Sequence, residues 1–497
     1  MKATVTVNKR FEIGKIDERI YGSFVEHLGR AVYHGIYEPT NKKEADEDGF
    51  RRDVIKLVRE IDVPLTRYPG GNFVSGYNWQ DGIGDPAKRP RRMELAWQSI
   101  ETNEVGLCEF AKWAEKANTS VMMAVNLGTA GPKEAQEIVE YCNSETDTYY
   151  ANLRREHGYP KPFGFKLWCL GNEMDANWQI GKKSASEYGR IAREASRMIK
   201  NVCPYAQTVI SGSSNINMKT FGEWELGVLE EAYESVDYIS LHNYYHNGTG
   251  DASYYFADSI QMDEFIKSVA AICDAVKAKK KSKKQINLSF DEWNIWYNYP
   301  SKVDYSWQIA PPIIENTYTL EDAITFGCLM MTLQNNCDRV KIACVAQLVN
   351  VIAPIMTEND GKSWKQTIFY PYALASNNGR GTALRAIVDS ETYTVRDRAN
   401  VPYLATSVIN NEEEGTLTVF AVNRSLEEEM TLSINAEGFE GAEIISHTEL
   451  YSDDLKATNT KDAEAVVATE REIDPNSLTA SLKKHSWNMI KVKYNKR

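Results

Sequence analysis

Two short segments carry carboxyl groups in a setting where they can do chemistry. Leu170-Gly171-Asn172-Glu173-Met174-Asp175 closes one apolar β-type run, and Ser289-Phe290-Asp291-Glu292-Trp293-Asn294 closes another. Two carboxyls facing each other across a bound ligand can hydrolyse a glycosidic bond. One, protonated, gives its proton to the leaving oxygen, and the other, ionised, attacks or activates water at the anomeric carbon. A lone glutamate at a strand end is more readily read as a helix cap or an ion-pair partner. Two at the equivalent ends of two strands favour the catalytic reading.

Other residues invite the same weighing. Glu26, in Tyr21-Gly-Ser-Phe-Val-Glu26-His27, follows an apolar run and reads as a site carboxylate or as a helix cap or salt bridge. Asn72 follows Gly70-Gly71, where backbone can come close to a ligand, or it is an ordinary turn asparagine. Trp97 and Trp178 offer flat faces to a sugar near a pocket entrance, or fill core. His242 and His246 have the i, i+4 spacing of a helical metal pair. Their segment instead runs from a strand into the polar loop Tyr244-Tyr-His-Asn-Gly-Thr-Gly250 and lacks the glutamate of a zincin, so no metal is expected.

These residues need elements to position them. From about residue 20 to 375, β-type runs at 21–25, 63–67, 120–127, 165–171, 207–212, 236–242, 286–291 and 339–347 alternate with helical patterns. Phe50, Val54, Leu57, Val58 and Ile61 repeat at the helical period. Pro132 opens a second such stretch, and Tyr188 to Ile199 forms a third. Eight strands alternating with helices predict a (β/α)8 barrel, whose catalytic groups project from the C-terminal strand ends. Glu173 and Glu292 then stand at the ends of strands four and seven. A doubly wound sheet is disfavoured, because Gly70-Gly71 lacks the phosphate-turn fingerprint.

After Arg380 the texture changes to two-residue alternation, as in Thr416-Leu-Thr-Val-Phe-Ala-Val-Asn423, which predicts an antiparallel β-sandwich of jelly-roll type. The opening strand pattern has the same alternation. The expected division is therefore 1–16 joining the sandwich, 17–380 as barrel and 381–497 as sandwich. The lysines at 277, 279, 280, 281, 283 and 284 read as a solvated loop between a helix ending near Val276 and a strand starting near Ile286.

Composition bounds the partners. The 497 residues carry 57 Lys+Arg against 69 Asp+Glu, a net charge of −12, which argues against nucleic acid and anionic lipid. With 42% hydrophobic and 25% charged residues the chain can build cores and is not disordered. No secretion signal, bilayer-spanning run or lipidation motif is visible, so a soluble cytoplasmic protein is expected. The eight cysteines sit mostly in apolar runs without a CxxC pair and read as buried reduced thiols.

Six ordered segments then carry a resemblance: Tyr68-Pro-Gly-Gly-Asn72-Phe, Trp168-Cys-Leu-Gly-Asn172-Glu173-Met-Asp, Trp178-Gln-Ile-Gly181, His242-Asn-Tyr244, Asp291-Glu292-Trp-Asn-Ile-Trp296-Tyr and Ala346-Gln347-Leu-Val-Asn350. Together they resemble the retaining α-L-arabinofuranosidases of glycoside hydrolase family 51 over nearly the whole chain. The resemblance implies Glu173 as acid/base and Glu292 as nucleophile, with a covalent arabinosyl-enzyme between them. It implies Glu26, Asn72 and Asn172 around the sugar hydroxyls, Tyr244 beside the nucleophile, and His242 and Gln347 in the same pocket. It further implies an exo-acting enzyme on arabinan- or arabinoxylan-derived oligosaccharides, no cofactor, and a homo-oligomer, often a hexamer. Where the family often has Gly-Pro between the Asp and Trp after the acid/base, Ala176-Asn177 stands here, which bears on aglycone preference. The rivals are a barrel hydrolase of other specificity, such as an endo-β-glucanase or β-xylosidase, and a non-catalytic carbohydrate-binding protein.

Overall fold

The structure, a computed structural model, describes residues 1–299, 303–475 and 477–496. Its centre is a closed barrel of eight parallel strands: Gly22–Phe24, Leu65–Tyr68, Ser120–Val125, Leu167–Leu170, Gln207–Ile210, Tyr238–Tyr245, Asn287–Ile295 and Val340–Ala346, each hydrogen-bonded to the next and the eighth to the first. Side chains alternate between its two faces, apart from register shifts in strands seven and eight. Phe24, Leu65, Met122, Ala124, Leu167, Cys169, Val209, Ile342 and Cys344 point inward and fill the barrel. Val121, Met123, Trp168, Leu170 and Val345 point outward under the helices. Strands with both faces covered read as nearly continuous apolar runs, which is why the sequence marks all eight.

The helices follow from their apolar stripes. Arg52–Ile61 buries Val54, Ile55, Leu57, Val58 and Ile61, while Phe50 lies just outside it in a bridge to Tyr37. Pro132 occupies the first turn of Pro132–Asn143. The helix Asp258–Lys280 runs past Val276 and takes Lys277, Lys279 and Lys280 into its last turn, so half of the lysine run is helix rather than loop. Cations there face the negative end of the helix dipole, and Glu230 pairs with Lys279 at 2.7 Å.

Strand seven also differs from expectation. It continues past residue 291 to Ile295, and it carries one residue more than either neighbour between Ser289 and Trp293. Such a bulge resets the alternation. Leu288 and Phe290 face outward before it and Trp293 and Ile295 after it, so the consecutive Asp291 and Glu292 both turn to the interior.

Two sheets form the second body. One has four strands, Ile387–Ser390, Lys2–Asn8, Met430–Glu437 and Thr479–Leu482, with a parallel pairing between the second and third. The other has seven, running from Glu12–Lys15 through Thr382–Leu384, Leu404–Asn411, Thr416–Asn423, Ser486–Lys493 and Glu443–Leu450 to Ala468–Glu470. Val5, Val7, Leu417, Val419, Leu432 and Ile490 fill the space between them. The outer face of the larger sheet, with Phe420, Val422, Trp487 and Met489, joins the hydrophobic layer that surrounds the barrel. The contact centres on the buried helix Leu320–Asn335, where Gly327 lies directly against the Trp487 indole.

A β-carbon at residue 327 would fall 2.2 Å from Trp487 Cδ1. Gly327→Ala is therefore expected to destabilise the protein by about 1–3 kcal/mol, through overpacking at the contact between the two bodies. Differential scanning calorimetry checks this, and an unchanged melting temperature contradicts it.

Candidate active site

The inward parity of each strand delivers a polar side chain above the apolar plug. Strand one continues from Phe24 to Glu26, strand two from Leu65 to Arg67, and strand six from Tyr238 through His242 to Tyr244. Strand four ends at Leu170, and the turn after Gly171 brings Glu173 over the centre with φ at +46°. A left-handed non-glycine residue persists only where its surroundings hold it there. The bulge in strand seven adds Asp291 and Glu292.

A carboxylate oxygen of Glu173, one of Glu292 and a ring nitrogen of His242 lie within 4.8 Å of one another. The two glutamates are held differently. Glu292 accepts hydrogen bonds from Tyr244 Oη and Arg67 Nη1, each at 2.8 Å, and Arg67 Nη2 reaches Asn172 Oδ1 at 2.7 Å. Glu173 accepts from the Trp178 indole N–H at 2.6 Å and lies 3.1 Å from His242 Nδ1. Burial and the nearby Glu292 charge raise the Glu173 carboxyl above its ordinary range, against the opposing pull of His242.

His242 bridges the pair to Asp291, whose Oδ1 is 3.1 Å from Nε2. Burial alone would lower the imidazole, but Glu292, Asp291 and Glu173 surround it and push it up to about 10. Burial would raise Asp291, and Arg67 with His242 instead hold it below the usual carboxylate range. By distance the Glu173–His242–Glu292 trio could meet at a metal ion. A cationic imidazole offers no lone pair to one, and the Arg67 guanidinium already occupies Glu292, so the donor set does not fit a metal. His246 stands apart, edge-on to Tyr297.

Above these groups opens a cavity of about 610 Å³, lined by Glu26, Asn72, Trp97, Glu173, Trp178, Tyr244, Glu292 and Gln347 among others. Of the residues singled out in the sequence, Asn172 and His242 sit one layer deeper, against the carboxylates rather than on the cavity wall. Glu26 accepts from Phe73 N at 2.9 Å, Trp97 Nε1 at 3.1 Å and Gln347 Nε2 at 3.3 Å. Burial and the charge of Glu292 raise it to about 8 despite those donors. Trp97 reaches it from the turn of a hairpin, Arg92–Glu94 with Ser99–Glu101. A β-carbon on Gly71 would come within 3.3 Å of an oxygen of both Glu26 and Glu292, so the backbone at this glycine runs close against the two carboxyls.

Sequence reasoning missed Arg67 and left Asp291 without a role. A signal for Arg67 exists: it is the one charged residue in the run Leu65-Thr66-Arg67-Tyr68, and a cation inside a central strand demands buried acidic partners. The cavity wall also includes Ser214, Asn215 and Asn217, after strand five, and Trp296 and Asn298, after strand seven. No motif pointed to Ser214, Asn215, Asn217 or Asn298, and Trp296 stands in the segment Asp291-Glu292-Trp-Asn-Ile-Trp296-Tyr without a role of its own.

With two differently held carboxyls in a pocket lined otherwise by aromatic, amide and aliphatic side chains, Ser214 and Glu26, the chemistry open to the site is acid-assisted displacement at an acetal carbon. Comparison with known proteins agrees. Residues 57–262 match the family described as alpha-L-arabinofuranosidase 1 domain, and residues 291–486 match the alpha-L-arabinofuranosidase C-terminal domain. The chain is 54% identical to intracellular exo-alpha-(1->5)-L-arabinofuranosidase 1 of Bacillus subtilis, over 99% of both chains. It is 46% identical to an exo-alpha-(1->6)-L-arabinofuranosidase of Bifidobacterium longum, over 99% of this chain and 97% of that one. The solved structure of a family 51 alpha-L-arabinofuranosidase from Bifidobacterium longum superposes with a TM-score of 0.94 at 40% identity, covering 99% of each chain. The barrel, the paired carboxyls and this similarity along the full chain lead to one conclusion: the protein belongs to the family 51 α-L-arabinofuranosidases.

Proposed function

We propose that the chain is a retaining, exo-acting α-L-arabinofuranosidase that removes terminal α-L-arabinofuranosyl units from arabinan- or arabinoxylan-derived oligosaccharides, with α-(1→5) links preferred. The observation that carries the reading is the close approach of Glu173 and Glu292 in unlike surroundings. Retaining enzymes hold their carboxyls about 5–5.5 Å apart, and inverting ones leave a wider gap for water. The α-(1→5) preference rests on the names of relatives such as the Bacillus subtilis enzyme.

In the first step the Glu173 proton passes to the glycosidic oxygen as Glu292 attacks the anomeric carbon, giving an arabinosyl ester and a free alcohol. Glycosylation removes the Glu292 charge, which lowers the pressure on Glu173 to hold a proton. Glu173, now a carboxylate, takes a proton from water as that water displaces the ester oxygen. Glu26, Asn72 and Gln347 line the pocket wall and offer acceptors and donors to the sugar hydroxyls. Asn172, fixed by Arg67, stands beneath for the 2-hydroxyl. Activity inside the cell fits the eight free, buried cysteines and the relatives named intracellular. No helix among the described residues is long and apolar enough to cross a membrane. A hexamer, which the family resemblance implies, would sediment at six times the 56.3 kDa of one chain. Analytical ultracentrifugation reads this directly, and a lone 56.3 kDa species contradicts it.

Glu292→Ala is expected to lose activity by at least about 10⁴-fold, and proton NMR of fresh product from the unaltered enzyme to show the retained anomer first. An inverted first product removes Glu292 from the nucleophile role. The acid form of Glu173 is lost as pH rises through its raised pKa. Turnover of a substrate with a poor leaving group should therefore persist above the ordinary glutamate value of about 4.3 before declining. A basic limb at that ordinary value contradicts the assignment.

A further inference from the structure

The turn that carries Glu173 is tied down from behind by a group that never reaches the cavity. Asp175 is 1% exposed and lines no part of the pocket. Its carboxylate accepts the Ser214 backbone N–H, 3.3 Å from both oxygens, and the Ser214 hydroxyl. The next residue up that loop is fastened as well, since Ser213 N donates to the buried Glu225 at 2.7 Å. Asp175 therefore joins the loop after strand four to the loop after strand five.

What it holds is a backbone in an unfavourable state. Glu173 sits at φ +46°, closed by a bond from Ala176 N to Glu173 O at 2.9 Å. Trp178, whose indole meets the acid's Oε2, rides on the same turn. Released, the turn can relax toward ordinary dihedrals and take both the carboxyl and its indole partner with it.

We propose that Asp175 is a positioning residue for the proton-donating step, setting where Glu173 delivers its proton to the leaving group. This rests on the acid/base reading of Glu173. A shift of about 1 Å in a catalytic group can cost about 10²-fold in rate, and here the loss falls only where the departing oxygen needs a proton. An alcohol leaving group needs one, and 4-nitrophenolate departs without it.

The test compares kcat/KM for α-1,5-arabinobiose and 4-nitrophenyl α-L-arabinofuranoside in Asp175→Asn, Ser214→Ala and Glu173→Ala. Asp175→Asn should lose about 10²-fold on the disaccharide and far less on the nitrophenyl substrate. Ser214→Ala keeps the backbone donor and removes only the hydroxyl, so it should show the same selectivity at smaller size; it carries the test if Asp175→Asn does not fold. Equal losses on both substrates, or none, in these two variants overturn the proposal. If Glu173→Ala itself loses both substrates equally, the acid/base reading fails and the positioning role falls with it.

Discussion

Two carboxyl groups within 4.8 Å of each other in a largely buried site cannot behave as equals. Like charges at that distance, with little water between them, force one to keep a proton unless cations intervene. The barrel answers with an asymmetric arrangement. Arg67, a permanent cation, is committed to Glu292 and Asn172. His242 is held by Asp291 and leans on Glu173. The difference between the two glutamates is thus built in part from Arg67, His242 and Asp291, which line no part of the cavity, and it exists before any ligand arrives.

That arrangement follows from the parity of a closed barrel. Once Phe24, Leu65, Leu167 and Ile342 face the axis, the residues two and four positions on must face it too. Glu26, Arg67, His242 and Tyr244 inherit their direction from the apolar residues below them. Strand seven departs from the rule at the level of the site, and strand eight shifts register once below it, between Val340 and Ile342. Without the extra residue of strand seven, Asp291 and Glu292 would lie on opposite faces, and either Glu292 or the anchor of His242 would be lost to the helix layer.

This division also decides what was legible in the sequence. All eight barrel strands were visible because strands covered on both faces are apolar throughout. Glu173 and Glu292 were visible because carboxyls at strand ends are conspicuous. The bulge was not, since nothing in Ser289-Phe290-Asp291-Glu292-Trp293 distinguishes a strand that ends from one that gains a residue. Arg67 was hidden for a different reason: its meaning lies in partners more than a hundred residues away. The lysines at 277, 279 and 280 misled by composition, because a helix end tolerates a charge cluster as readily as a loop does.

The cavity itself has two unlike sides. Glu26, Asn72, Gln347 and Tyr244 come from strand ends or the turns directly after them, are cross-linked by hydrogen bonds, and are set by the barrel. Trp178, Asn215, Asn217 and Asn298 come from loops, and Trp178 is 54% exposed. Under the acid/base role proposed for Glu173, the proton donor stands on the side from which the leaving group departs, and the loop-built side with Trp178 becomes the aglycone side. The strand-end residues of the cavity are therefore constrained by the same parity that places the two carboxyls, whereas the loop residues can change without disturbing it. Relatives named for (1->5) and for (1->6) activity, at 54% and 46% identity, fit such a separation between a fixed chemical core and an adjustable rim.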